Sequence, residues 1–186
     1  MAARDRLIES TQELLWERGY TGTSPRAIQD RAGAGQGSMY HHFGGKPDLA
    51  LAALQRTAAQ MRAEIEDEFG AGSTAIGRIS AYLHRERDVL RGCRIGRMTQ
   101  DPDVVVNADL RRPLAETFDW LRDRLADIVA EGQATGEIAG TLDPAQTAAT
   151  IAAVLQGGYV LARAADSVEP FDRAIDGILA LLDAAR

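Results

Sequence analysis

With 186 residues, 45% hydrophobic and 26% charged, the chain can bury a sizeable core in one large domain or in a small module joined to a larger one, which excludes a disordered or low-complexity segment. Its one cysteine, Cys93, excludes an intrachain disulfide framework and any zinc site needing several thiolates, and the absence of any long apolar run points to a cytoplasmic protein with no membrane partner. The net charge of -6 is uneven: residues 1–50 balance Arg4, Arg6, Arg18, Arg26, Arg31 and Lys46 against Asp5, Glu9, Glu13, Glu17, Asp30 and Asp48, so the rest of the chain carries all of it, as a DNA-binding head on an acidic body would.

The pattern predicts helices throughout and no strand. Leu7, Thr11, Leu14 and Leu15 mark one face of a helix over about 3–18, stopped by Gly19. Ser24-Pro25, a capping hydroxyl followed by the residue best tolerated at the first helical position, starts a short helix over about 25–32. Gly33-Ala34-Gly35 breaks it, and a third over about 36–43 turns Met39 and Phe43 inward. Two short helices joined by a glycine-bearing turn and backed by a longer one have the layout of a helix-turn-helix. Further helices are predicted over about 47–69, 74–90 and 111–132, with an irregular or short-helical stretch at 91–102. Asp143-Pro144 repeats the cap-plus-proline start for a helix to about 165, and Glu169-Pro170 precedes the last. These two amphipathic helices share a short loop and are expected to pack antiparallel.

Thr23-Ser24-Pro25-Arg26-Ala27-Ile28, Ala32-Gly33, Gly37-Ser38-Met39-Tyr40-His41-His42-Phe43 and Lys46-Pro47-Asp48-Leu49 resemble the DNA-binding head of the tetracycline-repressor (TetR) family. The helix order after about residue 50 is similar to that family's ligand-binding and dimerisation part. Arg91-Gly92-Cys93 and Leu155-Gln156-Gly157-Gly158-Tyr159-Val160-Leu161-Ala162-Arg163 further resemble the lincomycin-resistance repressor type. The chain departs from the family at Ala34-Gly35, where valine and serine are usual, so the cap of the third helix lacks a side-chain oxygen. The resemblance implies an all-α fold, with a helix-turn-helix DNA-binding domain at 1–46 and a ligand-binding and dimerisation domain at 47–186.

A recognition helix reads base edges from its N-terminal residues, here Gln36, Gly37 and Ser38. Gln36 has the donor and acceptor needed for a bidentate bond to adenine, and glycine at 37 lets the backbone approach the groove. By resemblance Gln36, Ser38 and His41 read bases, while Tyr40, His42 and Lys46 bind phosphate; Ser24 and Arg26 stand at a helix start where they would do the same. Tyr40 and Phe43 are alternatively core aromatics. Adjacent histidines point about 100° apart and chelate a metal poorly, so neither a metal nor a cofactor is expected.

The resemblance implies an effector inside the larger part, with Met61, Tyr82, Cys93, Met98, Phe118, Trp120, Gln156 and Tyr159 as candidate lining residues for a small hydrophobic molecule. Cys93 has two other readings, a small buried hydrophobe or a redox sensor. Gly157-Gly158 permits close approach of either a helix or a ligand. Thr147, Ile151, Val154 and Leu155, with Ile175, Ile178, Leu179 and Leu182, provide two apolar faces suited to a homodimer, whose two heads would meet a palindromic operator. The sequence thus reads as a ligand-responsive repressor and not an enzyme. The alternatives are a thiol-based redox regulator on the same scaffold and a helical interaction protein without DNA binding.

Overall fold

A computed structural model describes residues 2–184, and among these it holds nine α-helices, one 3-10 turn and no strand. The helices are α1 (Ala3–Arg18), α2 (Pro25–Ala32), α3 (Gln36–His42), α4 (Lys46–Ala71), α5 (Ala75–His84), α6 (Pro102–Val106), α7 (Ala108–Ala134), α8 (Pro144–Ala165) and α9 (Glu169–Ala184), with the 3-10 turn at Gly96–Gln100. The described residues form two units by packing, 2–60 with 94–117 and 61–93 with 118–184.

In the first unit α1 packs on α2, on α3 and on the 3-10 turn. It buries Leu7, Ile8, Thr11, Leu14 and Leu15, the stripe its spacing predicts. The Ser24 hydroxyl accepts the Ala27 N–H at 3.1 Å, and Pro25 occupies the first turn, where its missing N–H costs nothing. Gly33 ends α2 at φ 58°, a left-handed conformation natural to glycine. That turn lets the Ala34 N–H reach back to the Gln29 carbonyl at 3.0 Å and the Gly33 N–H to that of Asp30 at 3.4 Å. Ile28, Met39 and Leu49 are fully buried at its core and Phe43 nearly so.

Two helix boundaries depart from the sequence reading. α5 stops at His84 rather than near residue 90, because the Arg87 guanidinium folds back to donate to the Tyr82 carbonyl, which a continued helix would have given to a backbone N–H. α7 starts at Ala108 rather than 111. The Asn107 side chain caps it, accepting the N–H groups of Asp109 at 3.0 Å and Leu110 at 3.2 Å, and Pro113 in the second turn removes a single donor. The stretch between carries the 3-10 turn and α6.

In the second unit α9 packs against α8 and α5. α8 buries Ile151, Leu155, Tyr159 and Ala162 and α9 buries Phe171, Ile175, Ile178 and Leu182. Gly158 answers the open question of close approach: a Cβ there would lie 3.0 Å from the Phe171 ring, so this glycine admits α9, whereas Gly157 faces open space. The dimer-face assignment needs correction for the same reason. Ile151, Leu155, Ile175, Ile178 and Leu182 are at most 6% exposed within one chain and have no surface left to give a partner. Thr147, Val154 and Leu179 remain half-buried. By length and composition α8 could also cross a membrane, with a mean hydropathy of 1.2 over an eighteen-residue window of which 39% is buried, so much of its apolar surface lies outside the core.

Gly132 in α7 is closed on by its neighbours: a Cβ would sit 2.6 Å from the Ala75 Cβ and 2.9 Å from Ile138 Cδ1. Replacing a helical glycine by alanine ordinarily stabilises by about 0.5–1 kcal/mol. Gly132→Ala is expected to reverse that sign and cost about 1–3 kcal/mol through overpacking, whereas Gly70→Ala, with nothing within 4 Å, should stabilise. Thermal unfolding of the two variants checks the contrast.

Candidate functional site

The turn between α2 and α3 sets α3 with one side sealed and the other open. Met39 is fully buried and Phe43, just past the helix, is 5% exposed, with the Arg4 guanidinium 5.5 Å above its ring. Gln36, Gly37, Tyr40, His41 and His42 are exposed and Ser38 is half-buried. Tyr40 is 51% exposed, which excludes its alternative as a core aromatic. The His41 and His42 rings lie edge to face at 4.9 Å, and among the described residues no three His, Cys, Asp or Glu side chains gather where an ion could be held. Gly35 offers α3 no side-chain cap.

Arg26 is exposed beside Asp30 at 3.8 Å, and Ser24 keeps its hydroxyl hydrogen while accepting from Ala27. Lys46 differs. It is half-buried, with its ammonium 4.0 Å from the centre of the Tyr20 ring. Burial lowers its pKa while Asp103 and Asp101 act to raise it, and burial with the same carboxylates raises that of Tyr20. Asp101 is itself 8% exposed and accepts from the Thr21 N–H and hydroxyl, each at 2.9 Å, and from the Asp103 N–H at 3.1 Å. Asp101 and Tyr20 were not singled out in the sequence, although Asp101-Pro102 is the same cap-plus-proline pair as Ser24-Pro25 and Asp143-Pro144.

The lining candidates divide. Met98, 1% exposed, belongs to the first unit, and the other seven to the second. Met61 is buried, Phe118, Trp120 and Gln156 are half-buried, and the Arg62 guanidinium stands 5.8 Å from the Trp120 ring. Tyr82 and Tyr159 each interact electrostatically with Cys93 and with Arg87, a residue sequence reasoning missed because it lies in a charged run that looks solvated. Arg87 Nη1 donates to the Tyr159 hydroxyl at 3.3 Å, Nη2 to the Tyr82 carbonyl and Nε to the Arg85 carbonyl at 3.1 Å. Its guanidinium lies 5.7 Å from the Tyr82 ring and 5.5 Å from the Phe171 ring. Burial raises the pKa of both phenols, which therefore stay protonated as hydrogen-bond donors at neutral pH. Cys93 is 8% exposed, unlike the accessible position of a reactive thiolate.

Comparison with known proteins agrees with this arrangement. Residues 7–53 match the bacterial regulatory proteins of the tetR family, and residues 73–178 match the tetracyclin repressor-like C-terminal domain. The transcriptional regulator AcuR of Cereibacter sphaeroides is 28% identical over 149 residues, 76% of this chain and 68% of its own. The HTH-type transcriptional repressor DhaR of a Mycobacterium species is 26% identical over 173 residues, 91% of this chain and 87% of its own. The crystal structure of a TetR transcriptional regulator from Chloroflexus aurantiacus superposes with a TM-score of 0.86 at 27% identity, covering 96% of this chain and 92% of that one. An exposed recognition-type helix on a three-helix head, followed by a helical part whose own match spans more than half of the sequence, has one consistent meaning: the chain belongs to the TetR family of transcriptional regulators.

Proposed function

We propose that this regulator is a repressor that binds palindromic operator DNA as a homodimer and is released by a small, largely apolar effector. The carrying observation is the single exposed run on α3, Gln36, Gly37, Tyr40, His41 and His42, held out by the buried Met39 and Phe43. In this reading residues 1–46 form the DNA-binding head and 47–186 the ligand-binding and dimerisation part. Gln36, Gly37, Ser38 and His41 read bases, and Ser24, Arg26, Tyr40, His42 and Lys46 hold phosphates. α4 and α7 each contribute to both packing units, so two continuous helices link effector binding to the head. Coupling of this kind is reciprocal, operator lowering effector affinity by the factor, typically about 5–150, by which effector lowers operator affinity. The likeness of residues 91–93 and 155–163 to the lincomycin-resistance repressor type supports an apolar effector. The burial of Cys93 favours a packing or lining role over a redox one.

The dimer is proposed through the outer faces of α8 and α9. Ala149, Ala153, Gly157, Val160, Leu161 and Ala164 recur at helical spacing on α8, opposite its buried stripe, with Val160 and Leu161 each 54% exposed. On α9 Ala174, Gly177 and Leu181 do the same, and small residues allow close helix contact.

Operator titrations over a set of base-pair variants test the head. Gln36→Ala should relax preference at one base pair, at a cost of about 1–3 kcal/mol. Arg26→Ala should weaken binding about equally on every sequence and lower the salt slope by roughly one. Identical specificity changes in both variants would overturn the division between base reader and phosphate anchor.

A further inference from the structure

The Arg87 guanidinium is half-buried, and none of its partners among the described residues is a carboxylate. It bonds two carbonyls and a phenol and lies against two aromatic rings, so its charge has no counter-charge in contact. Arg85 beside it is paired with Glu64 at 3.2 Å. A guanidinium carries five N–H donors, and three are in use here, which leaves one on each of Nη1 and Nη2. One donor on each terminal nitrogen is the pair with which arginine takes a carboxylate in two parallel bonds.

The phenols around it are donors with nothing to donate to. Tyr159 is 8% exposed and uses its oxygen to accept from Arg87, leaving its O–H directed to no partner among the described residues. Tyr82 is 2% exposed, and its hydroxyl makes no hydrogen bond among the described residues. A phenol O–H with no protein acceptor is open to a ligand or to water. Around these polar groups the walls are apolar: the Phe69 ring packs on Tyr82 at 5.1 Å and the Phe171 ring on Tyr159 at 4.9 Å. A positive charge without a counter-ion, spare phenol donors and aromatic walls select one kind of molecule.

We infer that Arg87, with Tyr159 and Tyr82, forms an anion-binding subsite, and that the effector is an apolar molecule bearing a single carboxylate. The inference rests on the ligand-responsive reading above and narrows its ligand class. Arg87 sets the orientation, the acid group lying on the guanidinium and the Tyr159 hydroxyl, with the buried Phe171 and Phe69 rings backing the two phenols.

The test is calorimetric titration of the full-length protein with octanoate, octan-1-ol and octyltrimethylammonium, which share a chain and differ in head group, with hexanoate and decanoate as length controls. Octanoate is expected to bind at least about tenfold more tightly than octan-1-ol, the scale of a charge-assisted bidentate bond. Arg87→Gln should lower octanoate affinity to that of octan-1-ol. Because Arg87 also caps α5, Tyr159→Phe serves as the second variant: it keeps the ring, removes the hydroxyl and should weaken octanoate several-fold more than it weakens octan-1-ol. Equal affinities for octanoate and octan-1-ol, a preference for the cation, or no binding by any of the three acids overturns the subsite. Operator release measured in parallel separates this from the broader reading. Release by octan-1-ol as strong as by octanoate would keep the effector and remove the acid site, whereas tight octanoate binding with no release would keep the site and remove its regulatory role.

Discussion

Leu181→Asp is expected to convert the protein to monomers and to lower operator affinity by about 100-fold to 10,000-fold, the range lost when two linked binding sites become independent. Leu181 is 68% exposed, the largest exposure among the large hydrophobic residues of α8 and α9, and it shares a stripe of α9 with Ala174 and Gly177. A carboxylate there costs little in one chain in water. At the centre of a dimer face it would be buried against its own symmetry mate, where two like charges without partners are strongly disfavoured. Two-fold symmetry also sets the spacing of two recognition helices on half-sites about 34–36 Å apart, so a monomer keeps one head and loses the match. Ile178→Asp is the informative contrast. Ile178 is 6% exposed inside the chain, so that variant should unfold the helix pair and lose cooperative melting, whereas Leu181→Asp should melt near the parent temperature. Sedimentation and operator titration read both. A dimer that survives Leu181→Asp combined with Val160→Asp would place the interface on another surface.

The proposed dimer face marks the limit of what periodicity in the sequence conveys. α8 has two apolar stripes, one of large residues at Ile151, Leu155 and Tyr159 and one of small residues with Val160 and Leu161. Periodicity finds both but does not say which one the chain uses for itself. The larger side chains bury more area and so go inward first, leaving the small-residue stripe outside. Local chemistry was more legible. Ser24-Pro25 and Asp143-Pro144 mark the starts of α2 and α8 because a cap acts on its neighbours alone. The end of α5 was not legible, since it depends on a guanidinium three residues beyond the helix folding back on it. The same holds for the site. Gln36, Tyr40 and His41 lie in one contiguous segment whose resemblance to a family motif marks them together, whereas Arg87 acquires its meaning from Tyr159 and Phe171, more than seventy residues away in the chain. Contacts across such separations leave no periodic mark.

Asp101→Ala is expected to cost about 1–3 kcal/mol of stability, from a lost helix cap and the lost bonds from the Thr21 N–H and hydroxyl. One carboxylate oxygen accepts the Thr21 N–H and the other accepts the Thr21 hydroxyl and the Asp103 N–H at the start of α6, so a single side chain ties that segment to the turn between α1 and α2. Close by, the Arg97 guanidinium donates to the Trp16 carbonyl and Arg94 lies 5.1 Å from the Trp16 ring. Gly19, at φ 75°, completes the fit, since a Cβ there would come within 2.8 Å of Asp101 Oδ2. Burial pushes the Asp101 pKa up, but the bonds from Thr21 and the backbone of Asp103 and Val104 outweigh it, and the folded value lies below the ordinary 3.8. The unfolded chain therefore binds the proton at higher pH than the folded one. The contribution of the ionised carboxylate is complete above about pH 4 and is lost as pH falls through the folded value. Parent and Asp101→Ala should thus differ most at neutral pH and converge in acid. Asp101→Asn should sit between them and lack the acid-dependent part. In a double-mutant cycle with Thr21→Val the coupling should be about 0.5–3 kcal/mol. Additive losses at Thr21 and Asp101, or a stability gap that stays constant down to pH 2, would show that the two side chains act separately and that this contact does not fasten the segment.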